Sequence, residues 1–581
     1  MRRRRRGAGY VAIVAAVSAA SMVPAFSQTA AQVNQASADR AESRSTDEVS
    51  ILKQMVVEQQ KQIEQLRVTM DEMKQKLDGG ASTEAAHPQA PNLGQAASTT
   101  PVIPRGLTRP ENAAASLAVS PLAVPVAKSS KDQPEEVAPL QLRVGSAYIT
   151  PVGFMDFTTV FRTHDGGSGI GTNFAGIPYG SVFQNNLSEF RFSMQNSRIG
   201  FRVDAMVKGA HVVGYMESDF LGNNPGNVAV SSNSNTLRSR LYWVQLRKGP
   251  WEVFGGQTWS LITPGRTGIS PLPGDLFYTQ NIDVNYQLGL VWGRIPEFRF
   301  VYHPSAKAAF AVALDSPEQY VGGSAGGSLV TFPPALASAY PGGELNTGGN
   351  TLSVPNVAPD VIAKLAFDPS KKAHFEVGGV ERNFKLWNPN TKISYTAAGG
   401  GVFGNLNFEL VKGLRVFTNN FNSDGGGRYI FGQAPDLIAR ADGSPSLIHA
   451  SSTVSGLECT HKNTLLYSYY GGLYVGRNFA IVPVTTTSGT PPVTITKLTP
   501  FGYGYSGAPS GQNKSVQEGT FGFAQTFWKD AKYGALTFMG QYSYLTRNPW
   551  AIATGQPKDA HLSMVFLNLR YTLPGSAPAL K

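Results

Sequence analysis

In its last third this chain alternates its side chains two by two and turns back on itself at short intervals. That pattern admits antiparallel strands joined in hairpins and little else. In the final stretch Val565, Leu567, Leu569 and Tyr571 fall on one face, and Phe566, Asn568 and Arg570 fall on the other. This is period-2 patterning with one apolar side.

The N-terminus narrows the setting. Arg2 to Arg6 form a basic region, Tyr10 to Ala20 an apolar stretch, and Ala25-Phe26-Ser27 a small-x-small cleavage site before Gln28, the organisation of an export signal over residues 1–27. The apolar stretch falls short of the roughly 20 residues a spanning helix needs. No other run is long and apolar enough. An exported chain with 10% aromatic residues, 62 glycines and no spanning helix is either soluble outside the cytoplasm or a β-barrel, and the alternation selects the barrel. Cys459 is the only cysteine, so neither a disulfide scaffold nor a cysteine-rich metal site can form, and no metal or cofactor is expected. The net charge is +11, and residues 141–574 alone carry 33 Lys and Arg against 25 Asp and Glu. That surplus matters only where arginines face an aqueous interior. It implies no nucleic-acid partner.

The mature chain divides by composition. A polar segment, 28–48, precedes a heptad region, 49–78, in which Val49, Leu52, Val56, Gln59, Ile63, Leu66, Met70, Met73 and Leu77 recur at spacings of three and four. Such a seam makes a coiled coil, with Glu48 and Lys53 placed as a flanking charge pair and Gln59 specifying register or strand number at a cost in stability. At 1.5 Å per residue the helix is about 43 Å long, enough to extend well into the periplasm. Gly79-Gly80 ends it, and residues 79–140, rich in Ala, Pro, Ser and Gln, form an extended linker. A tail, 575–581, closes the chain.

Within 141–574, short turns are expected at Lys208-Gly209, Lys248-Gly249-Pro250, Pro304-Ser305, Asp368-Pro369-Ser370, Lys412-Gly413, His461-Lys462-Asn463 and Lys529-Asp530-Ala531. Seven hairpins and one strand at each end give sixteen strands, about 27 residues apiece. Long connections fall at about 164–187, 221–236, 261–296, 316–357, 422–448 and 477–514, on the side opposite the short turns. The expected fold is therefore all-β, a sixteen-stranded antiparallel transmembrane barrel preceded by a periplasmic coiled-coil helix.

Asn196-Ser-Arg-Ile-Gly-Phe-Arg202, a hairpin through Lys208-Gly209, and Tyr215-Met-Glu-Ser-Asp-Phe220 resemble the second and third strands of Gram-negative porins. Leu237 to Leu246, followed by Trp251-Glu-Val-Phe-Gly-Gly-Gln-Thr-Trp259, is similar to the next porin pair. The chain departs from barrels that stop at a terminal aromatic, because Leu573-Pro574 and a tail to Lys581 follow Tyr571. With the coiled coil in front, the resemblance is to the DcaP-like group. It implies a homotrimer in the outer membrane, its N-terminal segment in the periplasm, and uptake of dicarboxylates and other small anions. It also implies that the loop Leu261 to Pro296 folds inward, where Asp275 and Asp283 would face basic wall residues across a transverse field.

Selectivity in a water-filled barrel comes from charge, width and hydrogen-bond donors rather than from a nucleophile. Alternation assigns the faces. Phe298, Phe300 and Tyr302 outward place Arg299 inside; Leu241 and Trp243 outward place Arg238 and Arg240 inside; Ile199, Phe201 and Val203 outward place Arg198 and Arg202 inside. Upstream, Phe190, Phe192 and Met194 outward place Arg191 inside, so the phase flips, which a β-bulge near Asn196 or Ser197 would explain. Arg382 and Arg415 follow by the same rule. Each arginine is equally open to a plainer reading, a wall charge neutralised by a carboxylate across the strand.

A barrel esterase or lipase would need a triad, yet the eight histidines are scattered and no G-x-S-x-G occurs, so no enzyme is expected. Gly502 to Gly507 matches G-x-G-x-x-G formally, but no helical pattern follows it. A tether to the cell wall through the N-terminal segment is compatible with transport.

Overall fold

The computed structural model describes residues 140–574, apart from 223–233, 273–275, 282–285, 324–328, 341, 346–355, 432 and 489–492. The expected signal, the heptad region with Leu52, Val56, Gln59, Ile63, Leu66, Met70 and Met73, the linker and the C-terminal tail lie outside the described residues.

Sixteen strands form the wall: β1 (Ala147–Arg162), β2 (Glu189–Ser193 continuing as Arg198–Val207), β3 (Ala210–Asp219), β4 (Arg238–Lys248), β5 (Trp251–Trp259), β6 (Arg294–Ser305), β7 (Ala308–Asp315), β8 (Asp360–Ser370), β9 (Ala373–Asn388), β10 (Ile393–Val411), β11 (Leu414–Asp424), β12 (His449–His461), β13 (Thr464–Val475), β14 (Asn513–Asp530), β15 (Gly534–Pro549) and β16 (Ala560–Thr572). Each is antiparallel to the next. β16 pairs with β1 through Leu569↔Phe157 and Leu567↔Thr159, which closes the sheet. Closure leaves no unpaired edge, the condition for burying backbone polar groups in lipid.

The short connections lie on one side, as the sequence implies. At Lys208-Gly209 both residues have positive φ, 49° and 78°, as a two-residue hairpin turn requires. Three turns fall later than expected: β6 and β7 run on to pair Ser305 with Ala308, β8 and β9 pair Ser370 with Ala373, and β14 and β15 pair Asp530 with Gly534. Proline at 304 and 369 is tolerated there because both strands carry a register shift just before the turn. On the opposite side the β9–β10 connection is short, because both strands extend beyond their neighbours. The stretch 477–514, expected as an open loop, instead holds a hairpin of Asn478–Ser488 with Val493–Tyr503.

Outward positions carry Phe157, Phe298, Phe310, Leu365, Val377, Leu567 and Leu569, all exposed, an apolar exterior suited to hydrocarbon. Two bulges reset the alternation. Between Ser193↔Thr158 and Arg198↔Phe154, β2 uses one residue more than β1, and this lets Phe190, Phe192, Ile199 and Phe201 all face outward. On β4, Arg240 is the extra residue between Ser239↔Ser218 and Leu241↔Glu217. Leu241 and Trp243 consequently point inward and are buried, contrary to the simple alternation, while Tyr242, Val244 and Leu246 take the outer face.

Candidate functional site

The bore is shaped by loops as much as by the wall. The β5–β6 loop leaves Trp259 and crosses to the far side. Gly265 and Gly268 donate their N–H groups to Glu376 and Asp368 on β9 and β8 (3.0 and 2.9 Å), and Arg266 grips Glu458 on β12 with both terminal nitrogens (2.8 and 2.5 Å). Further along, Gln280 N–H reaches Gln541 on β15, and Leu288 N–H reaches Glu518 on β14. Gly471 makes room for this crossing, since a Cβ there would fall on the Leu288 carbonyl. Asp275 and Asp283 lie outside the described residues. The β11–β12 loop meets this loop where Trp292 N–H donates to the Tyr429 carbonyl (2.9 Å) and the Trp292 and Phe431 rings stack 5.1 Å apart. Tyr286, Leu288, Trp292, Tyr429 and Ile430 form an apolar cluster inside the barrel.

On the inner wall the arginines meet carboxylates. Arg240, fully buried, donates to Glu217 (2.8 Å) and Asp219 (2.7 Å), and Arg238 binds Asp219 through two nitrogens (3.0 and 2.7 Å). Arg198 lies 3.7 Å from Glu217 and over the Phe154 ring at 5.0 Å. Arg202 pairs with Asp204 (2.7 Å), which also meets His211 (3.2 Å). Arg299 pairs with Glu297, and Arg382 holds Asp360 and Asp436, each at 2.9 Å. Arg191 pairs with Glu189 (2.8 Å) while its side chain stays 49% exposed. Arg415 has an amide partner instead, the Asn407 Oδ1 at 2.6 Å; its neighbour Glu458 is taken by Arg266.

Exposure separates these groups. Arg198, Arg240, Arg299 and Arg382 are buried, so their charge is spent within the wall. Arg191, Arg202, Asp204, Arg238 and His211 keep accessible surface, and all belong to β2, β3 and β4. The inner wall opposite the crossing loop is thus the solvated one.

Two inner-wall ion pairs escaped the sequence reading, Arg162 with Glu189 and Lys364 with Glu376 (3.2 Å), and Arg570, placed on the inner face of the last strand by its alternation, pairs with Asp156 (2.8 Å). Alternation marks Arg162 and Arg570 as inward. Arg266 and Arg428 sit in loops, where no periodicity flags them. The segment 502–507 carries no helix behind it and packs through Gly502 against Thr331.

No family model matches the sequence, and no curated protein matches it. Among solved structures, the chain is similar to the outer membrane channel DcaP of Acinetobacter baumannii, with a TM-score of 0.51, 15% identity, and coverage of 74% of this chain and 98% of that one. An anion-selective porin from Comamonas acidovorans (TM-score 0.40, 10% identity, 74% and 100% covered) and OmpF of Salmonella typhi (0.40, 9%, 74% and 100%) are more distant. The likeness to the channel is one of fold: both chains make the closed porin-type barrel.

Proposed function

We propose that this chain is an outer-membrane diffusion channel for small hydrophilic solutes, with a preference for anions such as dicarboxylates, and that it acts without catalysis. The observation that carries the reading is the inversion of the fold: an apolar exterior encloses a wall of ionised side chains, an arrangement that suits lipid outside and water inside. The fold shared with an outer-membrane channel supports the same reading. Anion preference rests on the basic surplus of residues 141–574 and on Arg191, Arg202 and Arg238, whose charges stay within reach of water along one wall. Asp275 and Asp283 would face these three arginines from the crossing loop, whereas Arg198, Arg240, Arg299 and Arg382, each paired with a carboxylate in the wall, would contribute structure rather than selectivity. A solute moving along this wall meets a net positive potential, focused by the low-dielectric barrel.

The same reading makes the protein a homotrimer. Residues 1–27 would direct export, and the heptads at 49–78 would reinforce assembly from the periplasm, with cell-wall contact as an added role. Proteoliposome swelling tests the transport step. Succinate is expected to enter faster than a diamine of equal size, and entry at equal rates, or no entry of either, contradicts it.

A further inference from the structure

The wall carboxylates that receive the start of the crossing loop are held together by one histidine. His374 on β9 is buried. Its Nδ1 lies 2.8 Å from Asp368 Oδ1 on β8, and its Nε2 lies 3.2 Å from Glu376 Oε1, two residues along its own strand. Each carboxylate turns its second oxygen to the loop. Asp368 Oδ2 accepts the Gly268 N–H at 2.9 Å, and Glu376 Oε2 accepts the Gly265 N–H at 3.0 Å. The loop backbone covers the ring, since a Cβ on Gly265 would stand 3.1 Å from Glu376 Oε1 and 3.7 Å from His374 Nε2.

The groups around the ring differ in what else holds them. Lys364 on β8 donates to Glu376 Oε1 (3.2 Å) and to the Thr263 carbonyl (2.6 Å), and Asn405 on β10 donates to Glu376 Oε2 (2.9 Å) and to the Gly265 carbonyl (2.7 Å). Asn407, opposite His374 on β10, accepts from Arg415, and Arg266 of the loop is turned to Glu458. Asp368 has no other cationic partner among the described residues, and its side chain keeps 17% of its surface in reach of water. One imidazole meets two carboxylates only with hydrogen on both ring nitrogens, which makes it a cation. A neutral ring of either tautomer sets a lone pair against one of them.

We propose that His374 is a positioning residue for the bore: as a cation it fixes Asp368 and Glu376 where Gly268 and Gly265 meet them, and on losing its proton it releases the start of the crossing loop from the wall. Glu376 keeps Lys364 and Asn405 when the ring is neutral. Asp368 keeps no cation, turns to water, and leaves the Gly268 N–H without its acceptor, a loss that a buried backbone donor does not sustain in place. The released segment has one direction open to it, toward the solvated wall of β2 to β4, so it enters the bore. The bridge is thus a pH-sensitive control on the width through which solutes pass. The proposal rests on the channel reading above.

Two measurements on the full chain test it. In planar bilayers the unchanged protein is expected to hold a steady open level at pH 6 and to show brief partial closures at pH 10. His374→Gln is expected to show the closures at both pH values, and His374→Arg, charged throughout, at neither. A steady level at pH 10 in the unchanged protein, or closures in His374→Gln that still come and go with pH, overturns the proposal and leaves Lys364 or another group to explain any change. Hydrogen exchange of the unchanged protein in detergent needs neither a variant nor conduction. Protection of peptides covering 261–270, corrected for the intrinsic rise of amide exchange with pH, is expected to fall about tenfold over the same range. Constant protection overturns the proposal. A barrel that conducts at no pH while this protection still falls defeats the channel reading and leaves the bridge standing.

Discussion

Two arginines on one inner wall illustrate how position decides what a charge can do. Arg240 is buried between Glu217 and Asp219, and replacing it with glutamine leaves Glu217 to the more distant Arg198 and Asp219 to Arg238 in a low-dielectric site. Such a break costs about 3–5 kcal/mol. Arg240→Gln is therefore expected to lower the temperature of the heat-induced gel shift. Arg202 is partly solvated beside Asp204 and His211. Arg202→Gln, combined with Arg191→Gln and Arg238→Gln, is expected to leave that temperature nearly unchanged and to lower the anion-to-cation permeability ratio two- to tenfold, as bilayer recordings can measure. Equal ratios before and after would confine the basic surplus to the barrel rims. The inward arginines were legible in the sequence because period-2 patterning assigns a face to every strand residue. Their partners were legible by the same rule, since Glu217 and Asp219 alternate with Tyr215, but the degree of burial was not. It depends on Trp259, whose ring lies 5.5 Å from the Arg240 guanidinium, and on a loop whose path no periodicity records.

Glu344, in the β7–β8 loop, has its carboxyl pushed up to about 8, first by burial and then by the hydrogen bond and charge of Glu318. A carboxyl raised above its ordinary value of 4.5 contributes stability that is full below that value and is lost as the pH rises through about 8. Protection of peptides covering 334–345, corrected for the intrinsic rise of amide exchange with pH, is thus expected to fall between about pH 5 and pH 8. Glu344→Gln should abolish that step, and persistence of the step in the variant would assign it to another group.

Among elements, the β5–β6 loop is the one whose placement matters most. It is held at both ends of its crossing by wall carboxylates, Glu376 and Asp368 near the start and Glu518 near the finish, so the N–H groups of Gly265, Gly268 and Leu288 are satisfied away from water. Gly471 leaves the space in which it lies. Gly471→Val would drive the loop from β13, and the expected result is larger single-channel conductance with faster proteolysis between 260 and 293. Unchanged conductance would mean that the loop does not set the width of the bore. The resemblance to porins implies an inward loop here, but sequence could not show which strands receive it, because those contacts join residues a hundred or more positions apart. The β4 bulge was hidden for a related reason. Arg240 is followed by Leu241, Tyr242 and Trp243, three residues each able to occupy either face, and only the pairing with Glu217 and Ser218 fixes the register.

At the scale of the whole molecule the strand count was readable from seven short turns, since Lys-Gly and similar pairs mark the hairpins, and sixteen is the number at which β16 meets β1. Barrel walls satisfy their own backbone hydrogen bonds through the pairing of neighbouring strands. The most direct measurement is the reversal potential of the purified protein in a planar bilayer under a tenfold KCl gradient. Discrete conductance steps are expected, with a reversal potential of the sign set by chloride that shrinks as the mean salt rises toward 1 M and the Debye length falls to about 3 Å. A barrel that inserts yet gives no steps, or one whose reversal potential takes the potassium sign at low salt, would contradict it.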